Sequence, residues 1–600
     1  MKTFIAQKFQ SSLMWSISLV MIFLFALTSS SVSAGNDKKE GKCGICSTNG
    51  PKAYVKAGAV GNQNGSQNHP FATLKQAQQG KYRTIYVLYS SQALPGGIVL
   101  KNGQSLVGIP SGAGDYPVMT NSVDPAISDP NGTSGNGVLV AGGDVCIEKI
   151  HFDNTWASAI NYDKAKNIDV KNTDVTRFDK GLLVFDVPSS EPRLQKLEIG
   201  ALQAKIANNG NTRLCNLDIS NSPGYSGIGI SEISFSGAKR SVDIRESTIH
   251  NLVSSLSEDA IPGFFPGFFN DTQGITVGAC ANTDVYVNIS NSVIKDFLGP
   301  SVGTRESSRG VNLASFIGGR MKVNIDSTKI HNIADPSGRV GPLALNMLAF
   351  SFDVGDSKIK AVVKNSEIIN AVNVGGYGVL IGAQNSVGDF KLSGNTISGF
   401  TNGVVTISAG LSKDSYEIEK NKGEQLASFL VMVSAASQSP PNALLLRPTT
   451  TSSVHDNNFA YDAAVAGSGI SIVPQITNPP DNNFPPVPVS WESLTVNAYN
   501  NCLVGGPPTV GNAGLVASLG IPVVAIPSGP ITVNAHNNNI TGFFANIIDL
   551  NVGVQFNVQN NWWGGGNPVL VVANPALVNF MPTLSAPIIC PQNTGADIED

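Results

Sequence analysis

The sequence predicts an all-β solenoid, in which short strands wind into coils that stack along one axis. Composition is the first ground. Of 600 residues only 14% are charged and 62 are Gly, a profile of many short strands joined by tight turns and not of helical bundles. The second ground is a repeat. Laid over VNAHNNNITGF (533–543), the tract FNVQNNWWGGG (556–566) sets Phe556 on Val533, Val558 on Ala535, Asn561 on Asn538, Trp563 on Ile540 and Gly565 on Gly542. Ordinary domain size would divide the chain into about four units, but one solenoid can be this long.

The same eleven-residue pattern recurs upstream as VCIEKIHFDNT (from 145), IDVKNTDVTRF (168), TRLCNLDISNS (212), VDIRESTIHNL (242), VNISNSVIKDF (287) and VNIDSTKIHNI (323). It continues as AVVKNSEIINA (361), FKLSGNTISGF (390), SSVHDNNFAYD (452) and VNAYNNCLVGG (496). Positions 1 and 3 alternate as a strand with one buried face does. Position 6 is Asn, Ser or Thr in most copies and marks a turn, since these side chains bond their own backbone and Asn tolerates left-handed geometry. Position 8 returns an apolar residue to the interior. Each copy therefore reads strand, corner, strand. The tightest spacings, Val145 to Ile168 and Val533 to Phe556, leave room for one coil of three short strands. Coils stacked about 4.8 Å apart bury a continuous core and satisfy their backbone with parallel ladders. Wider spacings mean loops, or a degenerate coil in between.

On these residues the chain resembles the right-handed parallel β-helix proteins of the pectin lyase-like class. Position 6 (Asn395, Asn457, Asn501, Asn538, Asn561) is similar to that class's asparagine ladder at one corner. AYVKAGAVGNQNGSQNHPFATLKQA (53–77) resembles the N-terminal segment of exported β-helix proteins, where a short helix lids the open end, and NNWWGGGNP (560–568) resembles a last coil. The resemblance implies a single-stranded right-handed parallel β-helix with a short N-terminal capping helix and loop inserts. The expected divisions are a cleaved signal peptide (1–34), a flexible leader (35–52), an N-terminal cap and first coils (53–110), the β-helix (111–570) and a C-terminal tail (571–600).

The signal peptide reading rests on Lys8, the apolar run Leu13–Leu27 and the small residues Val32 and Ala34 before the break. No later stretch is apolar enough to span a bilayer as a helix. The net charge is −4 and becomes more negative when Lys2 and Lys8 are removed, which argues against a nucleic-acid partner. Seven cysteines, Cys43, Cys46, Cys146, Cys215, Cys280, Cys502 and Cys590, are too scattered for a disulfide scaffold. Cys43 and Cys46 are expected to form a local disulfide in the leader.

Enzymes of the class cut acidic polysaccharides on an exposed sheet face, lyases with carboxylates holding Ca²⁺ beside a basic residue and hydrolases with paired acids. The hydrolase Asp pair with Gly-His-Gly, the Trp-x-Asp-His element of one lyase branch and the pectin esterase signatures are absent. What remains is an acid-rich region of Asp153, Asp163, Asp169, Asp174, Arg177 and Asp179. There Asp169, Asp174 and Arg177 are the candidates for a calcium-assisted lyase site, and solvated charge is the plainer account. At position 4, His455, Tyr499 and His536 form an outward column if their copies are neighbours, able to bind a sugar or a metal, or simply to stack. PGFFPGFF (262–269) places Phe264, Phe265, Phe268 and Phe269 either back on the helix flank or in an exposed interaction patch. Two Pro-rich inserts, 437–448 and 473–490, break the repeat as loops. The two tryptophans at 562–563 are expected to cover the core at the last coil.

The expected function is therefore a secreted or surface-exposed monomer, without catalysis, that binds a polysaccharide or a cell-surface partner. The alternative is a Ca²⁺-dependent polysaccharide lyase, and calcium is the cofactor of that reading alone.

Overall fold

The computed structural model describes residues 46–590, apart from residues 113 and 475 and the segments 123–134, 179–181, 184–196, 199–201, 207–208, 222–226, 235–236, 254–271, 300–307, 335–340, 352–356, 372–374, 436–446, 462–466, 478–486, 489–490, 506–512, 519–528 and 551–553. The signal segment 1–34, Cys43, the Phe-rich 262–269 and most of both Pro-rich inserts lie outside these residues.

The chain is a parallel β-helix. Each coil holds three strands, as in Asp284–Ser290, Val293–Leu298 and Arg309–Phe316, and the next coil repeats them as Arg320–Asp326, Lys329–Ala334 and Leu343–Phe350. Each strand pairs parallel and in register with its counterpart one coil on, for example Val287 with Val323, Ile294 with Ile330 and Leu313 with Met347. Third strands form a separate 15-stranded sheet. First and second strands count as one 29-stranded sheet, because Ala165–Phe178 and Gly210–Ser220 run through the corner unbroken. The interior is one continuous apolar cluster. Position 3 lines it from Ile147 and Val170 through Ile325 and Val454 to Val558, and position 8 from Phe152 through Ile294 to Ile540.

The repeat copies occupy adjacent coils, and their unequal spacings are loops, with one exception. Between Phe390 and Ser452 lies a further coil, YEIEKNKGEQL from Tyr416, whose strand Lys413–Glu419 pairs with Val387–Ser393 on one side and Thr449–His455 on the other. Its Tyr416 stacks on Phe390 in the core, centroids 5.6 Å apart.

The corner between first and second strands is built by positions 5 and 6 together. The left-handed residue is position 5 and not position 6: φ is +48° at Asn172 and Asn291, +52° at Asn365, +55° at Asn500 and Asn560 and +54° at Asn537. Asn suits this site because its short amide eases a conformation that costs other L-residues about 1–2 kcal/mol. Position 6 then points inward, where its amide or hydroxyl serves the neighbouring coils. At Asn501 the side-chain N–H groups donate to Val454 O of the coil before (2.8 Å) and to Asn538 Oδ1 of the coil after (2.9 Å). Its Oδ1 accepts from the backbone and side chain of Asn457, at 3.1 and 2.9 Å. The same bonds link Asn395, Asn421, Asn457, Asn501, Asn538 and Asn561. Toward the N-terminus hydroxyls replace the amides, with backbone N–H donation from Leu217 to Ser247, from Ser247 to Ser292 and from Thr328 to Ser366.

Both ends are tied down. The leader is not free up to residue 52: Cys46 forms a disulfide with Cys146, its N–H donates to Glu148 (3.1 Å), and Lys52–Val55 pairs in register with Thr84–Val87. That bond also corrects the expected Cys43–Cys46 disulfide. Cys46 is engaged instead by Cys146, which stacking brings to it across the outer face with Cα atoms 5.7 Å apart. Cys215 is disulfide-bonded as well. A six-residue helix, Leu74–Gln79, starts in a Thr73–Gln76 capping box and buries Leu74 and Ala77. Gln78 accepts the N–H of Val99 (2.9 Å), on the outermost strand of the 15-stranded sheet, so a side chain replaces the missing neighbour. At the other end Trp563 is 6% exposed within the core cluster, and Leu570, Val572, Val578 and Phe580 pack against it. The tail then turns back, bonded through Leu584 N–H to Asn561 O (3.0 Å) and by Cys502–Cys590.

Asn501→Ala should destabilise the fold by about 2–4 kcal/mol, because it leaves Val454 O and two N–H groups of Asn457 buried without a partner. Asn497→Ala, on the outer face of the same coil, should cost less than about 1 kcal/mol. Denaturant unfolding of the two variants checks the difference.

Candidate functional site

In-register stacking turns each outward position of the first strand into a column. Position 4 runs Ser393, Glu419, His455, Tyr499, His536, and position 2 runs Lys391, Glu417, Ser453, Asn497, Asn534, Asn557. The structure thus brings the three aromatic residues expected at position 4 together. His455 and Tyr499 stack with centroids 4.6 Å apart, and Tyr499 and His536 with 5.5 Å, all three rings within 7° of parallel. Both faces of Tyr499 are thus covered by its neighbours, while His455 and His536 each have one face against Tyr499 and His536 is exposed. Beside them the amides form a ladder of their own, Asn557 donating to Asn534 (2.9 Å) and Asn534 to Asn497 (3.0 Å).

The unrecognised coil at 416 supplies what sequence reasoning missed. Glu417 and Glu419 project from its first strand, directly below Ser453 and His455. Lys391 Nζ bridges them at 3.0 and 2.9 Å. Burial alone would raise the Glu419 carboxyl, but hydrogen bonds from Lys391 and Ser393 and the charges of Lys391 and His455 hold it below the usual range. Those bonds raise the Lys391 ammonium in turn, the one to Glu419 most. His455 Nε2 lies 3.5 Å from Glu419 and 3.9 Å from Glu417, while Nδ1 lies 2.9 Å from Asp456. Asp456 also accepts from the Asn500 side chain (3.1 Å). Ligand atoms of Glu417, Glu419 and His455 all lie within 4.8 Å of one another, which makes them the residues able to hold a metal ion. The signal that would have found them is the offset from Phe390 to Tyr416 with Asn421 at position 6.

The acid-rich region is arranged otherwise. Asp169 stands at position 2 in register with Cys146 and Arg213, and Asp174 stands past the corner in register with His151 and Asp218. The left-handed Asn172 between them turns the two carboxylates onto different faces. Arg177 forks onto Asp153 through Nε (2.7 Å) and Nη2, and Thr176 donates to the same carboxylate (2.9 Å). Asp169, Asp174 and Arg177 are therefore not brought together. The Asp174 carboxyl is raised, by burial first and by Asp218, with His151 opposing. Two further histidines each meet a carboxylate, His250 at 2.8 Å from Asp218 and His331 at 3.3 Å from Glu367. Phe264, Phe265, Phe268, Phe269 and Asp179 lie outside the described residues.

No protein-family model and no curated protein matches the chain. Among the described residues no helix is long and apolar enough to cross a membrane.

Among the described residues, Glu232 with Arg240, and Asp414, face inward and are sealed from any ligand. Glu232 meets Arg240 (3.2 Å) and Tyr162 (3.2 Å), while Arg240 also reaches Thr212 and Lys166 O, both at 2.6 Å. Every charge there is paired, as burial requires. Asp414 is bonded to Ser412 (2.8 Å), and burial pushes its carboxyl up to about 7 against the pull of Ser408, Ser412 and Gly388. A carboxyl raised on folding keeps its proton where the unfolded chain has lost it, so the contribution of Asp414 to stability falls as pH rises from about 4 to about 7 and is level above. Asp414→Asn mimics the protonated form. Its advantage in thermal unfolding over the wild type should be small near pH 4 and grow to a few kcal/mol above about pH 7.

Proposed function

We propose that this chain is an exported, non-catalytic β-helix that binds an extended glycan along the outward face of its first-strand stack. The observation that carries this reading is the pair of columns, built without Lys, Arg, Asp or Glu, at the C-terminal end of that face. His455, Tyr499 and His536 present ring edges beside the amides of Asn497, Asn534 and Asn557. A polymer of repeating hydroxyls suits an array that repeats its donors and acceptors at the coil rise of about 4.8 Å. Because both faces of Tyr499 are engaged with its neighbours, it offers its hydroxyl edge to a ligand, beside the hydrogen-bonding amides.

Export is supported by the pattern of residues 1–34 and by disulfides at Cys46–Cys146 and Cys502–Cys590, bonds that persist in oxidising compartments. Absence of catalysis is supported by the charge arrangement. A glycosidase needs one carboxyl held protonated as general acid, whereas Lys391 holds Glu419 ionised. The lyase alternative needs a basic residue converging with carboxylates that hold calcium, and Asp169, Asp174 and Arg177 do not converge.

Calorimetric titration of the protein with neutral and acidic linear polysaccharides, in Ca²⁺ and in chelator, tests the reading. At least one polymer should bind, and Tyr499→Phe and Asn534→Ala should each weaken it about fivefold, the worth of one hydrogen bond, without changing thermal stability. Binding to no polymer, or binding that both variants leave intact, would overturn it. Release of unsaturated uronate would favour the lyase.

A further inference from the structure

We propose that Glu417, Glu419 and His455 form a site for a divalent transition metal ion of the zinc class. The inference stands on the geometry of these residues and does not depend on the glycan reading.

Donor chemistry comes first. One imidazole nitrogen and two carboxylates suit zinc, which takes mixed nitrogen and oxygen ligands, whereas calcium takes oxygen. Ligand atoms on a tetrahedral zinc stand about 3.4 Å apart. His455 Nε2 is already 3.5 Å from Glu419 Oε2 and 3.9 Å from Glu417 Oε1, so closure asks for small rotations of the half-buried Glu419 and the more open Glu417 carboxylates. Three protein ligands leave a fourth position open toward the outer face, for water or for an oxygen of a bound molecule.

The surroundings form the outer shell that such ligands use. Asp456 is an acceptor only, so its contact with Nδ1 puts a ring proton there and leaves Nε2 as the nitrogen that faces the two glutamates. Asn500 holds Asp456, Ser393 donates to Glu419 Oε1 (2.8 Å), and Tyr499 covers the imidazole face. Nε2 of His455 thus faces two carboxylates that share one ammonium. The three groups gain a common partner when a metal ion sits among them. Lys391 now occupies part of that role, with its side chain 35% exposed and free to swing outward. It is a competitor for the site and not a ligand.

That competition gives the test an arm that loss of folding cannot imitate. Zn²⁺ is titrated calorimetrically into the chelator-treated full-length protein, with Co²⁺ absorption reporting coordination geometry. One ion should bind per chain, and His455→Ala and Glu419→Gln should each abolish that uptake. Asp456→Asn should weaken it about tenfold or more, Lys391→Met should strengthen it, and His250→Ala should leave it unchanged. Absence of Zn²⁺ uptake would overturn the proposal. Uptake undiminished in both ligand variants, or weakened by Lys391→Met, would overturn it too.

Discussion

Everything in this molecule depends on the corner between the first and second strands. There, two residues per coil perform opposite tasks: position 5 takes the left-handed turn, and position 6 sends a polar group inward. A buried amide is costly unless every group on it is bonded. Five stacked asparagines meet that condition by bonding to the coil before and the coil after, and Asn561 in the last copy does so with the coil before and with Val558 O of its own coil. The ladder is thus both a clasp and a register mark, since a shift by one residue would strand its amides among the aliphatic side chains of positions 3 and 8.

Fixed register at that corner explains where the chain varies. Between the first and second strands exactly two residues intervene in coil after coil, as at 291–292, 327–328, 365–366, 456–457 and 500–501. Insertions fall at the other two corners, where coils differ in length by many residues. The same register aligns outward side chains into columns, which is how residues far apart in sequence, Glu419 and His536 among them, come to share one line. The outward columns are therefore a by-product of the clasp.

Much of the fold was legible in the sequence because burial and periodicity are strong local signals. The apolar positions 1, 3 and 8, the polar position 6 and the covering Trp563 all stand where the repeat placed them. The left-handed residue was misassigned by one position, since adjacent polar residues such as Asn500 and Asn501 offer the same chemistry to either task. The coil at Tyr416 escaped notice because glycine at 423 and a charged run hide its pattern. Its absence from the alignment concealed Glu417 and Glu419 from the column above them. The disulfides were not legible, because which cysteines meet is set by how coils stack and not by spacing.

The central claim, that outward residues of successive coils stand in register, is tested most directly by thiol cross-linking on the outer face. Asn497→Cys combined with Asn534→Cys should react with dibromobimane to give a fluorescent intramolecular bridge, since these positions pair directly. Asn497→Cys combined with Asn557→Cys, two coils apart, should not, because that separation exceeds about 9 Å. Bridging of the second pair in preference to the first would contradict the account.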